Sequence, residues 1–144
     1  MIEEDLIFID STFDTKDDIF NFVADKVLEK NYINSKEFFL KSLYDREEVM
    51  PTSFDFNIAI PHAKSNAINN DFIAFLKLKR PIIRNENDND STDKIFLIAV
   101  TSEGSDRHLR YIANLSKKII NDDFRRKLEN LDSVQAAYDL FNQI

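Results

Sequence analysis

The 144-residue chain has no cysteine, no tryptophan, one glycine (Gly104) and two histidines. Without cysteine there is no disulfide and no thiol nucleophile, as suits a reducing compartment. With one glycine, any loop that needs positive φ must draw on Asn or Asp, the next most tolerant residues. Positive charge is short as well: 19 Lys and Arg stand against 26 Asp and Glu, a net charge of -7. That balance argues against a nucleic-acid binder, which needs a concentrated basic patch. No apolar run approaches the roughly 18 residues of a membrane span. The first residues, Met1-Ile2-Glu3-Glu4-Asp5, are acidic where a signal peptide is basic. These absences predict a soluble, cytoplasmic protein.

What the chain does have is apolar mass. It is 43% hydrophobic and carries 13 Phe, enough for the core of one domain spanning 1–144. Leu6 to Ile9 reads as a strand. Asp14 or Thr15 caps a helix over 16–30, with Ile19, Phe22, Val23, Val27 and Leu28 at helical spacing and Asn31 closing it. Ser35 caps a second helix over 36–48, whose phenylalanines are assigned to the core. Residues 51–57 form a loop. Phe72 to Leu78 is a strand, and Lys94 to Val100 is another, apolar on both faces and therefore central. The all-polar stretch 85–93 between them reads as a solvated surface turn. Ser105 caps a helix to about 120, with a buried stripe of Leu109, Ile112, Ala113, Ser116, Ile119 and Ile120. Short helices over 122–129 and 134–143 complete an α/β fold, a mixed sheet with helices packed on both faces.

The chemistry concentrates around Ile58-Ala59-Ile60-Pro61-His62. Ile58 and Ile60 share one face of a strand, and Pro61 has no N–H for a ladder, so pairing should end there. His62 is then delivered at the mouth of the sheet, where an imidazole can act as a phosphoryl-accepting nucleophile. His108 falls in the first turn of the 105–120 helix, beside Ile112 and Leu115. A helix start disfavours imidazolium and suits a phosphate. If the two histidines meet, a metaphosphate-like transition state needs donors around its oxygens. His108, the Arg46 guanidinium and the Thr52 and Ser53 hydroxyls are the candidates, the last two as phosphate-binding groups. Two histidines with no neighbouring carboxylate pattern fall short of a metal ligand set, so no metal or cofactor is expected.

Arg46-Glu47, Pro51-Thr52-Ser53, Ile58-Ala59-Ile60-Pro61-His62 and His108-Leu109 together resemble the mannitol/fructose type of enzyme IIA, a cytoplasmic domain of the sugar phosphotransferase system. The resemblance runs over nearly the whole chain. It implies a phosphorylated histidine at His62, with His108 and Arg46 lining the site. It also implies phosphate arriving from HPr and leaving for a cysteine of enzyme IIB, and through that partner a peripheral association with a membrane permease. The family's loop before the histidine is usually rich in glycine, whereas here it is Ser53-Phe54-Asp55-Phe56-Asn57. Asp55 and Asn57 can supply αL conformations, and Phe54 and Phe56 are candidate docking contacts. Two other readings stay open: a regulatory module of a transcription regulator with the same fold, and a non-catalytic binding protein.

Overall fold

The computed structural model describes residues 2–50, 52–85, 90–103 and 106–142. In chain order the elements are β1 (Ile2–Ser11), α1 (Lys16–Glu29), α2 (Lys36–Val49), β2 (Ser53–Phe54), β3 (Ile58–Ala59), β4 (His62–Ser65), β5 (Phe72–Asn85), β6 (Asp90–Thr101), α3 (Arg107–Ile120), α4 (Asp122–Glu129) and α5 (Val134–Phe141). The sheet runs β1-β5-β6-β3-β2, with β4 also on β6. It is mixed: β1 lies parallel to β5, β3 and β4 lie parallel to β6, and β5–β6 and β2–β3 are antiparallel.

β6 is central, as its unbroken apolar run predicts, and the period of two in a strand divides that run between two cores. Ile95, Leu97 and Ala99 pack with Phe20, Val23 and Val27 of α1 and Phe39 and Leu43 of α2. Phe96, Ile98 and Val100 pack with Leu115 and Ile119 of α3, Phe124 and Leu128 of α4, and Phe141 of α5. Helices therefore cover both faces.

The local signals set most of the boundaries. Thr15 caps α1 by accepting the Asp18 N–H, and Ser35 does the same for Phe38 in α2. Asn31, at φ 61, closes α1: its N–H reaches the Leu28 carbonyl, and the Tyr32 N–H reaches Val27. This is the Schellman arrangement with Asn where glycine is usual.

Six expectations need correction. The hairpin strands run on through Asn85 and resume at Asp90, the polar residues still pairing after register shifts between Lys77 and Ile82 and between Ile83 and Asn85; residues 86–89 lie outside the described ones. The loop over 51–57 contains β2, folded back on β3. In α3 the buried side is Leu115 and Ile119, while Leu109, Ala113 and Ile120 are exposed. Both sets fit a helical period, and the sheet selects the phase that carries His108. The cap of α3 is Asp106, which makes no side-chain cap bond; Ser105 lies outside the described residues. In α2 Phe39 is core, but Phe38 is 60% exposed.

The sixth correction concerns the site directly. Pairing does not end at Pro61. Proline lacks a donor but keeps its acceptor, and the Pro61 carbonyl takes the Ile98 N–H at 2.9 Å. The ladder is interrupted for two residues and resumes in unchanged register, Ile58 opposite Lys94 and His62 opposite Ile98. His62 thus opens β4 partway along the sheet, not at its mouth.

Candidate functional site

Three elements converge on His62. β4 carries it, the last turn of α2 supplies Arg46, and the first turn of α3 supplies His108. The break in the ladder leaves the Ile60 carbonyl free to turn towards the ring, and His62 Nδ1 lies 3.0 Å from it. A carbonyl can only accept, so Nδ1 carries the proton and donates it. Nε2 is then the lone-pair nitrogen, and Arg46 Nε donates to it at 2.9 Å. The same guanidinium donates through NH1 to the Met50 carbonyl at 2.6 Å, which ties it to the end of α2.

The electrostatics agree with a neutral ring. Burial lowers the His62 pKa below its ordinary 6.5, with Arg46 and His108 acting the same way, against the Ile60 carbonyl and Glu47. Protonating Nε2 would set two donors against each other at Arg46. His108 is also held below 6.5, first by burial and then by the Lys64 charge, with Asp106 opposing. Its ring stacks on that of His62 with centroids 6.0 Å apart and planes at 29°. Its buried Nδ1 has no hydrogen-bond partner among the described residues.

The sign of the pH dependence follows. The unfolded chain takes up protons near 6.5, before the folded protein does, so the stability tied to both rings is present above 6.5 and is lost as pH falls towards the folded values. Nucleophilic capacity at Nε2 should be level from pH 8 to 6.5 and decline only in more acid solution. Urea midpoints and the rate of His62 modification by diethyl pyrocarbonate, both measured from pH 8 to 5, check the two statements. A modification rate already halved at pH 6.5 would contradict the neutral ring.

Of the other residues singled out in the sequence, Thr52 is buried, and its hydroxyl donates to the Glu47 carboxylate, which also receives the Thr52 N–H at 3.5 Å. Ser53 enters through backbone pairing with Ala59. Glu47, valued in the sequence only as the neighbour of Arg46, therefore links the end of α2 to β2. The Ile60 carbonyl was also missed, since backbone acceptors leave no mark in residue identity. In the turn before β3, the positive φ values fall at Phe56 (67°) and Asn57 (63°), not Asp55 and Asn57. The Phe56 ring, half exposed, stacks under the Arg125 guanidinium at 3.9 Å; the cation–π contact offsets part of the strain of αL at a bulky residue. The Phe54 side chain lies outside the described residues.

Apolar side chains border this centre. Val49 and Met50, beside the Arg46 turn, are 81% and 64% exposed, and Leu109, next to His108, is 53% exposed. No helix among the described residues is long and apolar enough to cross a membrane.

Comparison with known proteins gives a consistent answer. The PTS system fructose-specific EIIA component of Haloferax volcanii is 27% identical over 140 residues, covering 97% of this chain and 91% of that one. Other relatives are much longer, and the chain spans 16–19% of their length. In fold it resembles the nitrogen regulatory protein IIA-Ntr of Neisseria meningitidis (TM-score 0.86, 20% identity, 96% of this chain and 94% of that one). It also resembles enzyme IIAMTL in its Escherichia coli complex with phosphorylated enzyme IIBMTL (TM-score 0.84, 18% identity, 100% and 99%). The family described as phosphoenolpyruvate-dependent sugar phosphotransferase system, EIIA 2, matches residues 1–144. With that match over its whole length, the chain belongs to the EIIA 2 family and is a phosphotransferase, a phosphocarrier of the sugar phosphotransferase system.

Proposed function

We propose that His62 is the phosphoryl carrier, charged by the phosphohistidine of HPr and discharged to a cysteine of enzyme IIB in the cytoplasm, in support of sugar uptake. The observation that carries this reading is the pair of hydrogen bonds on one ring: Ile60 fixes the proton on Nδ1, and Arg46 marks Nε2 as the lone pair. In the forward step Nε2 attacks phosphorus, the donor's P–N bond breaks, and its electron pair leaves with the donor imidazole. Arg46 must release the lone pair and turn its permanently charged fork to the phosphoryl oxygens. His108 and the first-turn amides of α3 supply further donors as charge spreads over those oxygens. Discharge is the same displacement with a thiolate: an S–P bond forms and the P–N bond to His62 breaks. The apolar rim of Val49, Met50 and Leu109 suits a protein partner better than a small substrate.

The test is incubation with HPr, the enzyme that phosphorylates it and radiolabelled phosphoenolpyruvate, followed by mapping of acid-labile, base-stable label. Label is expected on His62. A folded sample that stays unlabelled rejects the carrier reading in favour of a binding role. The likeness in fold to a nitrogen regulatory protein supports a second reading, in which phosphorylated His62 is read by a regulator. Transfer from labelled protein to a cognate enzyme IIB separates the two, with efficient transfer favouring transport.

A further inference from the structure

The helix that presents His108 has no side-chain cap at Asp106, yet the His108 ring stands in defined register with His62. A separate cluster accounts for this. Asp71 lies immediately before β5, its side chain 14% exposed. Its Oδ2 accepts Arg107 Nε at 2.7 Å, and its Oδ1 accepts the guanidinium NH2 at 3.2 Å, so the two groups meet fork to fork. Oδ1 also accepts the N–H of Thr101, the last residue of β6, at 3.0 Å. The Thr101 hydroxyl in turn accepts Arg107 NH2 at 3.1 Å. One turn further along α3, the Tyr111 hydroxyl donates to Oδ2 at 3.4 Å.

Helical geometry gives this cluster its consequence. Arg107 and Tyr111 are four residues apart and share a side of α3, and each successive residue turns about 100° around the axis. Holding that side at two points fixes the rotation of the helix as well as its tilt. His108, the next residue round, is then directed to the sheet, above Ile112 and Leu115, which follow it on the same side. The buried Leu115 and Ile119 set the phase of the helix further along, and the contacts at Arg107 and Tyr111 carry that phase into its first turn. We propose that Asp71 is a positioning residue, holding α3 through Arg107 and Tyr111 so that His108 meets His62 in the geometry needed for phosphoryl transfer. The functional half of this inference rests on the reading of His62 as the carrier.

The carboxylate is suited to the task. Burial alone would raise its pKa, but the Arg107 fork, the Thr101 N–H and the Tyr111 hydroxyl outweigh it and hold Asp71 below the usual carboxylate range. It remains charged at neutral pH, and a charged, two-bond fork holds its geometry better than an ordinary surface ion pair.

The experiment compares Asp71→Asn with the unaltered chain by three readouts: the nuclear Overhauser contact between the two imidazole rings, the single-turnover rate of acceptance from saturating phospho-HPr, and the thermal midpoint. Asn keeps the volume and an acceptor for Thr101 but not the ionic fork. The ring-to-ring contact should disappear and the rate per folded molecule should fall on the order of tenfold to a hundredfold, the effect of displacing a group beside the chemistry by about 1 Å. Arg107→Lys, which keeps the charge but not the fork, should fall between the two, and it carries the test if Asp71→Asn does not fold. A lowered midpoint with the ring contact and rate intact would show a merely structural role and overturn the proposal. If the unaltered chain takes no phosphoryl group, the carrier reading fails by itself, while the ring contact still decides whether Asp71 positions His108.

Discussion

Replacing His62 by alanine should reduce phosphoryl acceptance to background, while His108→Ala should leave the label on His62 and slow its arrival. The asymmetry follows from the different states of the two rings. His62 has a proton fixed on Nδ1 by the Ile60 carbonyl and a lone pair on Nε2, so in the proposed mechanism removing it removes the nucleophile. His108 has its Nδ1 enclosed with no partner among the described residues, and in the proposed mechanism its contribution is that of a donor to developing charge. Loss of one such donor costs roughly 10²- to 10³-fold in rate. Neither change should unfold the protein, since both rings lie outside the two cores. The measurement is label per folded molecule, by position, against time. Label on His108 in the His62→Ala protein, at a rate near that of the unaltered chain, would assign the carrier role to the wrong ring.

How much of this was visible in the sequence differs by level. Cap residues are local, and Thr15, Asn31 and Ser35 act where their residue types say they should. The two-sided apolar run of β6 announces a central strand because no other position needs both parities filled. The proximity of His62 to His108 and Arg46 was an expectation drawn from linked motifs and a resemblance; it depends on tertiary packing that no window of sequence contains. Three features were illegible for physical reasons. The strand after Pro61 needs a partner whose N–H finds the proline carbonyl, and Ile98 is 36 residues later in sequence than His62. The phase of α3 was ambiguous because two apolar stripes, one through Leu109 and one through Leu115, both satisfy a helical period. Asp71 and Arg107, 36 residues apart, look like ordinary surface charges until the fold joins them.

The second large effect should come from a residue far from the chemistry, Phe39. Among the described residues α2 buries only Phe39 and Leu43 fully, although it carries Arg46 to His62. The Phe39 ring, wholly enclosed, meets Phe72 of β5 at 5.9 Å. Phe39→Ala deletes most of that anchor and should cost about 3–5 kcal/mol. At about 2–4 °C per kcal/mol, that is a fall in midpoint of roughly 6–20 °C. The informative comparison is Phe75→Ala, on the opposite face, where the ring meets Phe96 at 4.7 Å and Phe141 at 4.8 Å. The cavity and the loss of stability should be similar. The consequences for the site should not be. A loosened α2 lets Arg46 drift from Nε2, so Phe39→Ala should accept phosphate more slowly even at 10–15 °C, where it is folded. Phe75→Ala, with α2 and β4 undisturbed, should accept at the rate of the unaltered chain under the same conditions. Equal rates in the two variants would mean that Arg46 is held by its own bonds to Met50 and His62, and that the packing beneath α2 sets stability alone.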